Sequence, residues 1–302
     1  MYNTSPYFNL TMFVNIDSYR YPALVTCLLL YIFIVCANSA VVLTIWREKT
    51  LHEPMYIFVA SLSLNALYGS MGFFPRFLLD LSSNVHLISR AACFTQIYII
   101  YSYAGHEMTM LCLMAYDRYL AVCHPLHYHT RMTVKKALTL VTLAWVLLVF
   151  FLIIIISLSA PLPLCGNEIQ KVFCANWNVV KLSCVPTVVN NIVGMFITIS
   201  TVFLPLVFVL FTYTRIISVT WKRSATFKRR VFQSCLPHVV SFVIYSIAIF
   251  CDISLSRYDV DEMNPVVPII LSLEFVVIPP LLNPLLYGLK LSGIRRNIFR
   301  ML

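Results

Sequence analysis

The residues best placed to do chemistry in this chain are an acid and a base side by side, Asp117 and Arg118, followed by Tyr119. They close an apolar run from Leu111 to Tyr116. A guanidinium then sits at a membrane edge, where an isolated charge is costly and a partner is expected. That chemistry is electrostatic and reversible, and a cytosolic protein could supply the partner. The plainer alternative is an arginine reaching lipid phosphates along its own alkyl stem, as terminal arginines commonly do. Glu107 lies eleven residues before Arg118, about three turns at 3.6 residues each, so it shares the same face and could hold a sodium ion or a proton. No HExxH, GxSxG, GxGxxG or phosphate-binding glycine loop occurs, so enzyme chemistry and a cofactor are not expected.

Membrane helices must position these groups. The 302 residues are 60% apolar and only 11% charged, with a mean hydropathy of +0.83, against roughly 25% charged in soluble domains. Apolar runs of about 20 residues, the length of a membrane span, occur at 22–46, 55–74, 92–116, 137–161, 188–219, 231–255 and 265–289. The reading is an all-α, single-domain membrane protein with seven spans. The third and seventh are the weakest, carrying His106 and Glu107, and Glu274 with several prolines, and their polar residues should face the bundle. The formal charge of +10 would suggest nucleic acid on a soluble protein, but here its sidedness matters more. Of the 22 lysines and arginines, six (Arg20, Arg76, Arg90, Lys171, Lys181, Arg257) fall on one side and the other sixteen on the opposite side. The positive-inside rule then puts 1–21 outside and the tail, 290–302, in the cytosol. The sequons at Asn3 and Asn9 fall in the outer segment, where glycosylation occurs. No removable signal peptide is expected ahead of the first span. Leu291 to Leu302 alternates apolar with basic residues, as a short amphipathic helix on the inner leaflet would.

Ten cysteines include four at outer positions, Cys93, Cys165, Cys174 and Cys184. An even number in an oxidising compartment suggests two bridges, and spacing alone leaves three pairings open. The other six read as core or boundary residues, and none sets out a zinc site.

Longer strings carry a family resemblance. Met114-Ala-Tyr-Asp-Arg-Tyr-Leu-Ala-Val-Cys-His-Pro-Leu-His-Tyr128 resembles the MAYDRYxAxCxPLxY motif of vertebrate odorant receptors, within the rhodopsin-like G-protein-coupled receptors. Leu51-His-Glu-Pro-Met-Tyr56 is similar to their LHxPMY, Ser234-Cys-Leu-Pro-His238 to the start of their sixth helix, and Pro280-Leu-Leu-Asn-Pro-Leu-Leu-Tyr287 to PxLNPxxY. The likeness runs from Asn38 to Tyr287, and Gly69 to Arg76 looks more like fish-type members. It implies a seven-helix bundle with a short C-terminal helix. The implied partners are a small organic odorant, the lipid membrane and a heterotrimeric G protein, of the olfactory stimulatory type that raises cyclic AMP. It implies the pairs Cys93 with Cys174 and Cys165 with Cys184. Asp117, Arg118, Tyr119, Tyr213, Asn283, Pro284 and Tyr287 take the switch roles. Pro284 removes a helical hydrogen bond, and Asn283 can meet the freed carbonyls. Asn38 belongs to the same polar core.

Counting outward from Arg118 by sevens gives Leu111, Ala104 and Ile97, flanked by Tyr101, Gly105 and Met108; Ala104 and Gly105 leave room. By resemblance, Thr198 and Thr201, Tyr245, Ile249 and Ile253, and Leu273 or Val277 face this gap. A mostly apolar ligand of micromolar affinity follows. Asp252 and Glu274 remain as polar anchors elsewhere. Two departures stand out. Leu62-Ser-Leu-Asn-Ala66 has Ala66 where the family carries Asp, which weakens any borrowed sodium site. The sixth span lacks CWxP, as odorant receptors also do. The competing readings are a non-olfactory chemosensory receptor of the same superfamily, a light-sensing opsin, and a transporter. An opsin needs a lysine within 265–289, and there is none; a transporter should show repeated halves or a charged pore.

Overall fold

The computed structural model describes residues 5–13, 19–257, 266–290 and 292–301. Seven long helices form a bundle: α1 Arg20–Arg47, α2 Pro54–Ser82, α3 Arg90–Cys123, α4 Val134–Ser159, α5 Val188–Trp221, α6 Ala225–Arg257 and α7 Val266–Lys290. A short α8, Ser292–Met301, packs on the ends of α1 and α7 and buries Ile294. The helices begin where local chemistry tells them to. Pro54 takes the first turn of α2, Ser89 caps α3 by accepting from the Ala92 N–H (3.3 Å), and Thr133 caps α4 by accepting from Lys136 (3.2 Å). Several helices run past their apolar stretch. Helix α2 passes Phe74 and Pro75 to reach Ser82, and α6 starts at Ala225, because backbone hydrogen bonding continues where hydropathy stops.

Six of these helices are long and apolar enough to cross a membrane by length and composition, and α3 is not among them. It packs against α2, α4, α5, α6 and α7. At the centre it meets protein rather than lipid, so it buries Gln96, Ser102, His106, Glu107 and Asp117 without exposing them to an acyl chain. The imidazole of His106 stacks on Trp145 of α4 at 4.3 Å between ring centres and bonds Ser61 of α2 at 3.0 Å. Helix α7, expected to be weak, is apolar enough despite Glu274.

One end of the bundle is capped by a three-stranded sheet. Strand β1, Tyr7–Leu10, lies between β2, Leu87–Ser89, which it meets antiparallel with Phe8 opposite Ile88, and β3, Glu168–Ile169, which it meets parallel with Leu10 opposite Ile169. Phe8 and Leu10 point into the bundle and are fully buried. The structure contains both disulfides, Cys93–Cys174 with Cα atoms 5.4 Å apart and Cys165–Cys184 at 5.2 Å. The first ties the loop between α4 and α5 to the head of α3; the second closes that loop on itself.

Candidate functional site

Between α3, α4, α5 and α6, with Trp177 of the loop between α4 and α5 in its lining, lies a cavity of about 460 Å³. Tyr101, Ala104, Gly105 and Met108 of α3 form one wall, Thr198 and Thr201 of α5 a second, and Tyr245, Ile249 and Ile253 of α6 a third. The lining is apolar apart from a few hydroxyls and the groups of its roof. Two phenols are already committed: Tyr245 donates to the Ala104 carbonyl (2.7 Å), and the Tyr101 oxygen accepts from the Asn176 N–H (3.0 Å). The roof is charged but paired. Lys171, 2% exposed, bonds Asp252 of α6 at 2.5 Å and lies over the Phe173 ring. Arg257 stacks 3.9 Å from the Trp177 ring centre and donates to Asn191 of α5 (2.6 Å). Asp252 lines the cavity as expected of a polar anchor, but Lys171 already holds it; Glu274 does not line it.

Three residues placed at the cavity from the sequence lie elsewhere: Ile97, Leu273 and Val277. A stripe counted by sevens drifts ~20° per step on a straight helix, and three steps from Arg118 turn Ile97 into the packed core. On α7 it is Phe275 that lines the cavity, and its carbonyl accepts from Tyr103 (3.1 Å). Leu273 and Val277 stand two residues to either side of Phe275, which puts them about 200° away around the helix. Gly105 is less roomy than expected, since a Cβ there would meet Leu148 Cδ2 at 2.5 Å; the glycine lets α3 approach α4. The wall from α4, including Leu148, Leu152 and Ile155, was missed. Their helical spacing on one face was the only signal, and a lipid-facing stripe carries the same one.

At the opposite end, Arg118 donates to Asp117 through Nε (3.2 Å) and a terminal nitrogen (2.7 Å), while the other Asp117 oxygen accepts from Tyr128 (2.8 Å). Asp117 is fully buried. Tyr128 sits in the single turn Tyr128–Arg131 between α3 and α4. Burial first, and then the Asp117 charge, push its hydroxyl well above the usual phenol range, so it stays a donor. Tyr119 bonds His124 at 3.1 Å.

Between the two ends runs a polar spine. Glu107 accepts from Asn65 of α2 (2.9 Å) and from Asn283 of α7 (2.5 Å). N–H donors therefore meet both carboxylate oxygens, where a cation would need oxygen ligands. Asn283 is thus spent on Glu107, and the carbonyl that Pro284 frees, that of Pro280, accepts instead from Asn38 of α1 (2.9 Å). Tyr213 of α5 bonds Nδ1 of His238 (2.7 Å), and Nε2 of that ring donates to the Leu111 carbonyl of α3 (2.7 Å). Tyr287 is buried in the same layer. Asn3 lies outside the described residues; Asn9 is half-buried in β1.

The sequence profile described as "Olfactory receptor" matches residues 27–302. Human olfactory receptor 6N1 is 33% identical over 279 residues, covering 91% of this chain and 88% of its own. Olfactory receptor 1D2 of Pongo pygmaeus is 32% identical over 281 residues, at 90% and 87% coverage, and human olfactory receptor 51E1 is 30% identical over 273, at 90% and 86%. The crystal structure of squid rhodopsin superposes with a TM-score of 0.78 over 94% of this chain and 85% of its own at 14% identity, a likeness of fold alone. Family and fold together make this a multi-pass signalling receptor and not an enzyme: the chain belongs to the olfactory receptor family.

Proposed function

We propose that the chain binds a small, mainly apolar organic odorant in the cavity between α3, α4, α5 and α6 and answers by activating a heterotrimeric G protein at the Arg118 end. The stimulatory type that raises cyclic AMP is the expected partner. The N-terminus and sheet face the outside, and the tail faces the cytosol. The observation that carries this reading is the cavity itself. It is of ordinary small-molecule size, walled by α3, α4, α5 and α6 with Phe275 of α7, and it offers hydroxyls rather than a free charge; α3, α5 and α7 also carry the switch residues. Contact area and one or two hydrogen bonds then supply the affinity, in the micromolar range. The absence of an acid on α3 near Tyr101 disfavours a cationic ligand.

The test is a panel of volatile organic compounds applied to cells carrying the receptor, the olfactory stimulatory G protein and a cyclic AMP reporter. Responses should cluster on neutral, apolar compounds. Ala104→Phe, which fills the cavity from α3, should abolish the response at normal surface expression. An unchanged dose-response curve in that variant would put the ligand elsewhere.

A further inference from the structure

The cavity has two possible ways in, and the structure treats them differently. Towards the sheet end it is roofed. The lining residues there are tied together: Arg257 stacks on Trp177, the Lys171–Asp252 pair locks the loop between α4 and α5 to α6, and the Cys93–Cys174 bridge holds that loop to α3. Opening that roof would unpair a buried charge and expose aromatic rings to water. At the flank of α5 the situation reverses. Met195, Ile199 and Phe203 line the cavity yet are 50%, 52% and 41% exposed on the outside of the bundle, so the cavity reaches the surface there. All three are apolar, and that surface faces acyl chains rather than water. The backbone loosens at the same level: Ile199–Phe203 forms one wide turn just before Pro205, which lacks an N–H. Above it, Gly194 has open space where a Cβ would stand.

We propose that ligands reach the cavity sideways from the membrane, past the Met195, Ile199 and Phe203 flank of α5, and not through the roof from water. This rests on the cavity being the ligand site and on the sheet end facing outwards. It narrows the ligand class to neutral compounds that partition into a bilayer and arrive already stripped of water. Membrane concentration, rather than aqueous concentration, then sets how fast the cavity fills.

The test uses the full chain in lipid nanodiscs with Ala104→Cys as a reporter inside the cavity and Thr201→Cys as a second reporter should the first fold poorly. Each is exposed either to a neutral aromatic maleimide that dissolves in the bilayer or to a charged trimethylammonium methanethiosulfonate that stays in water. Labelling of the introduced thiol alone is followed by peptide mass spectrometry. The bilayer reagent should modify it and the charged one should not. Adding Met195→Trp and Ile199→Trp should slow the bilayer reagent about tenfold. The double change Lys171→Met with Asp252→Leu, which removes the ionic lock without leaving a charge unpaired, should leave the rate unchanged. Equal labelling by the charged reagent, no slowing by the tryptophans, or no labelling of either thiol would each overturn the proposal. The readout needs no odorant response, so a failed Ala104→Phe dose-response test would strike the ligand site and leave the access route standing.

Discussion

At the scale of single residues, the Arg118 end behaves as a clamp with three fingers. Arg118 is held by Asp117, and Asp117 is held in turn by Tyr128. A hydrogen bond to a charged group contributes about 1.5–3 kcal/mol, enough to bias an equilibrium between idle and active forms by a factor of ten or more. Arg118→Ala should therefore keep ligand binding and lose cyclic AMP output; intact output at equal surface expression would leave Arg118 as a membrane anchor only. Tyr128→Phe loosens the clamp without removing the arginine. Basal cyclic AMP should rise, and a basal level equal to or below that of the parent would show that the tyrosine does not restrain the switch. The pair itself was legible in the sequence from its place at the end of an apolar run. The role of Tyr128 was not, because a bond across a loop follows from the path of the chain and not from local spacing. The same holds for Asn38, whose partner is the Pro280 carbonyl 242 residues along the chain.

Elements show where patterning succeeds and where it stops. The apolar runs marked the helices. Hydropathy undersold α3, because a helix surrounded by five others can carry polar groups that a lipid-facing helix cannot. It was silent on the sheet, whose strands are too short to show alternation. The loop between α4 and α5 has two kinds of anchor, covalent and ionic, and they predict different things. Cys93→Ser removes a bridge worth roughly 2–5 kcal/mol and should trap the chain before the cell surface; full surface expression would show the bridge to be dispensable. Lys171→Ala leaves Asp252 unpaired beneath the roof, a change that costs about 3–5 kcal/mol when a buried pair is broken on one side. Its melting temperature in detergent should fall, and the double change Lys171→Met with Asp252→Leu should recover most of the loss. A double variant as unstable as the single one would mean that the pair stabilises by more than mutual neutralisation.

For the whole molecule, the cavity and the switch stand at opposite ends of one bundle, joined by contacts that each tie two or three helices together: Glu107 to α2 and α7, His238 to α5 and α3. Under the proposed function, these contacts are the ones through which a movement of α6 or α7 at the cavity would bias the Arg118 end, the kind of two-state repacking that switching proteins use. The proposed function needs the cavity to face outwards and Arg118 inwards, which is also the orientation that the positive-inside rule favours. Sixteen of the 22 lysines and arginines lie at the Arg118 end or in the tail. Each such charge near an anionic inner leaflet contributes about 1 kcal/mol, so the inverted orientation is disfavoured many times over. An epitope tag at the N-terminus should stain on intact cells, and one at the C-terminus only after permeabilisation. Glycosidase treatment should shift the mobility of the parent and leave an Asn3→Gln, Asn9→Gln double variant unmoved. C-terminal staining without permeabilisation would reverse the topology, and with it the assignment of cavity to odorant and of Arg118 to G protein.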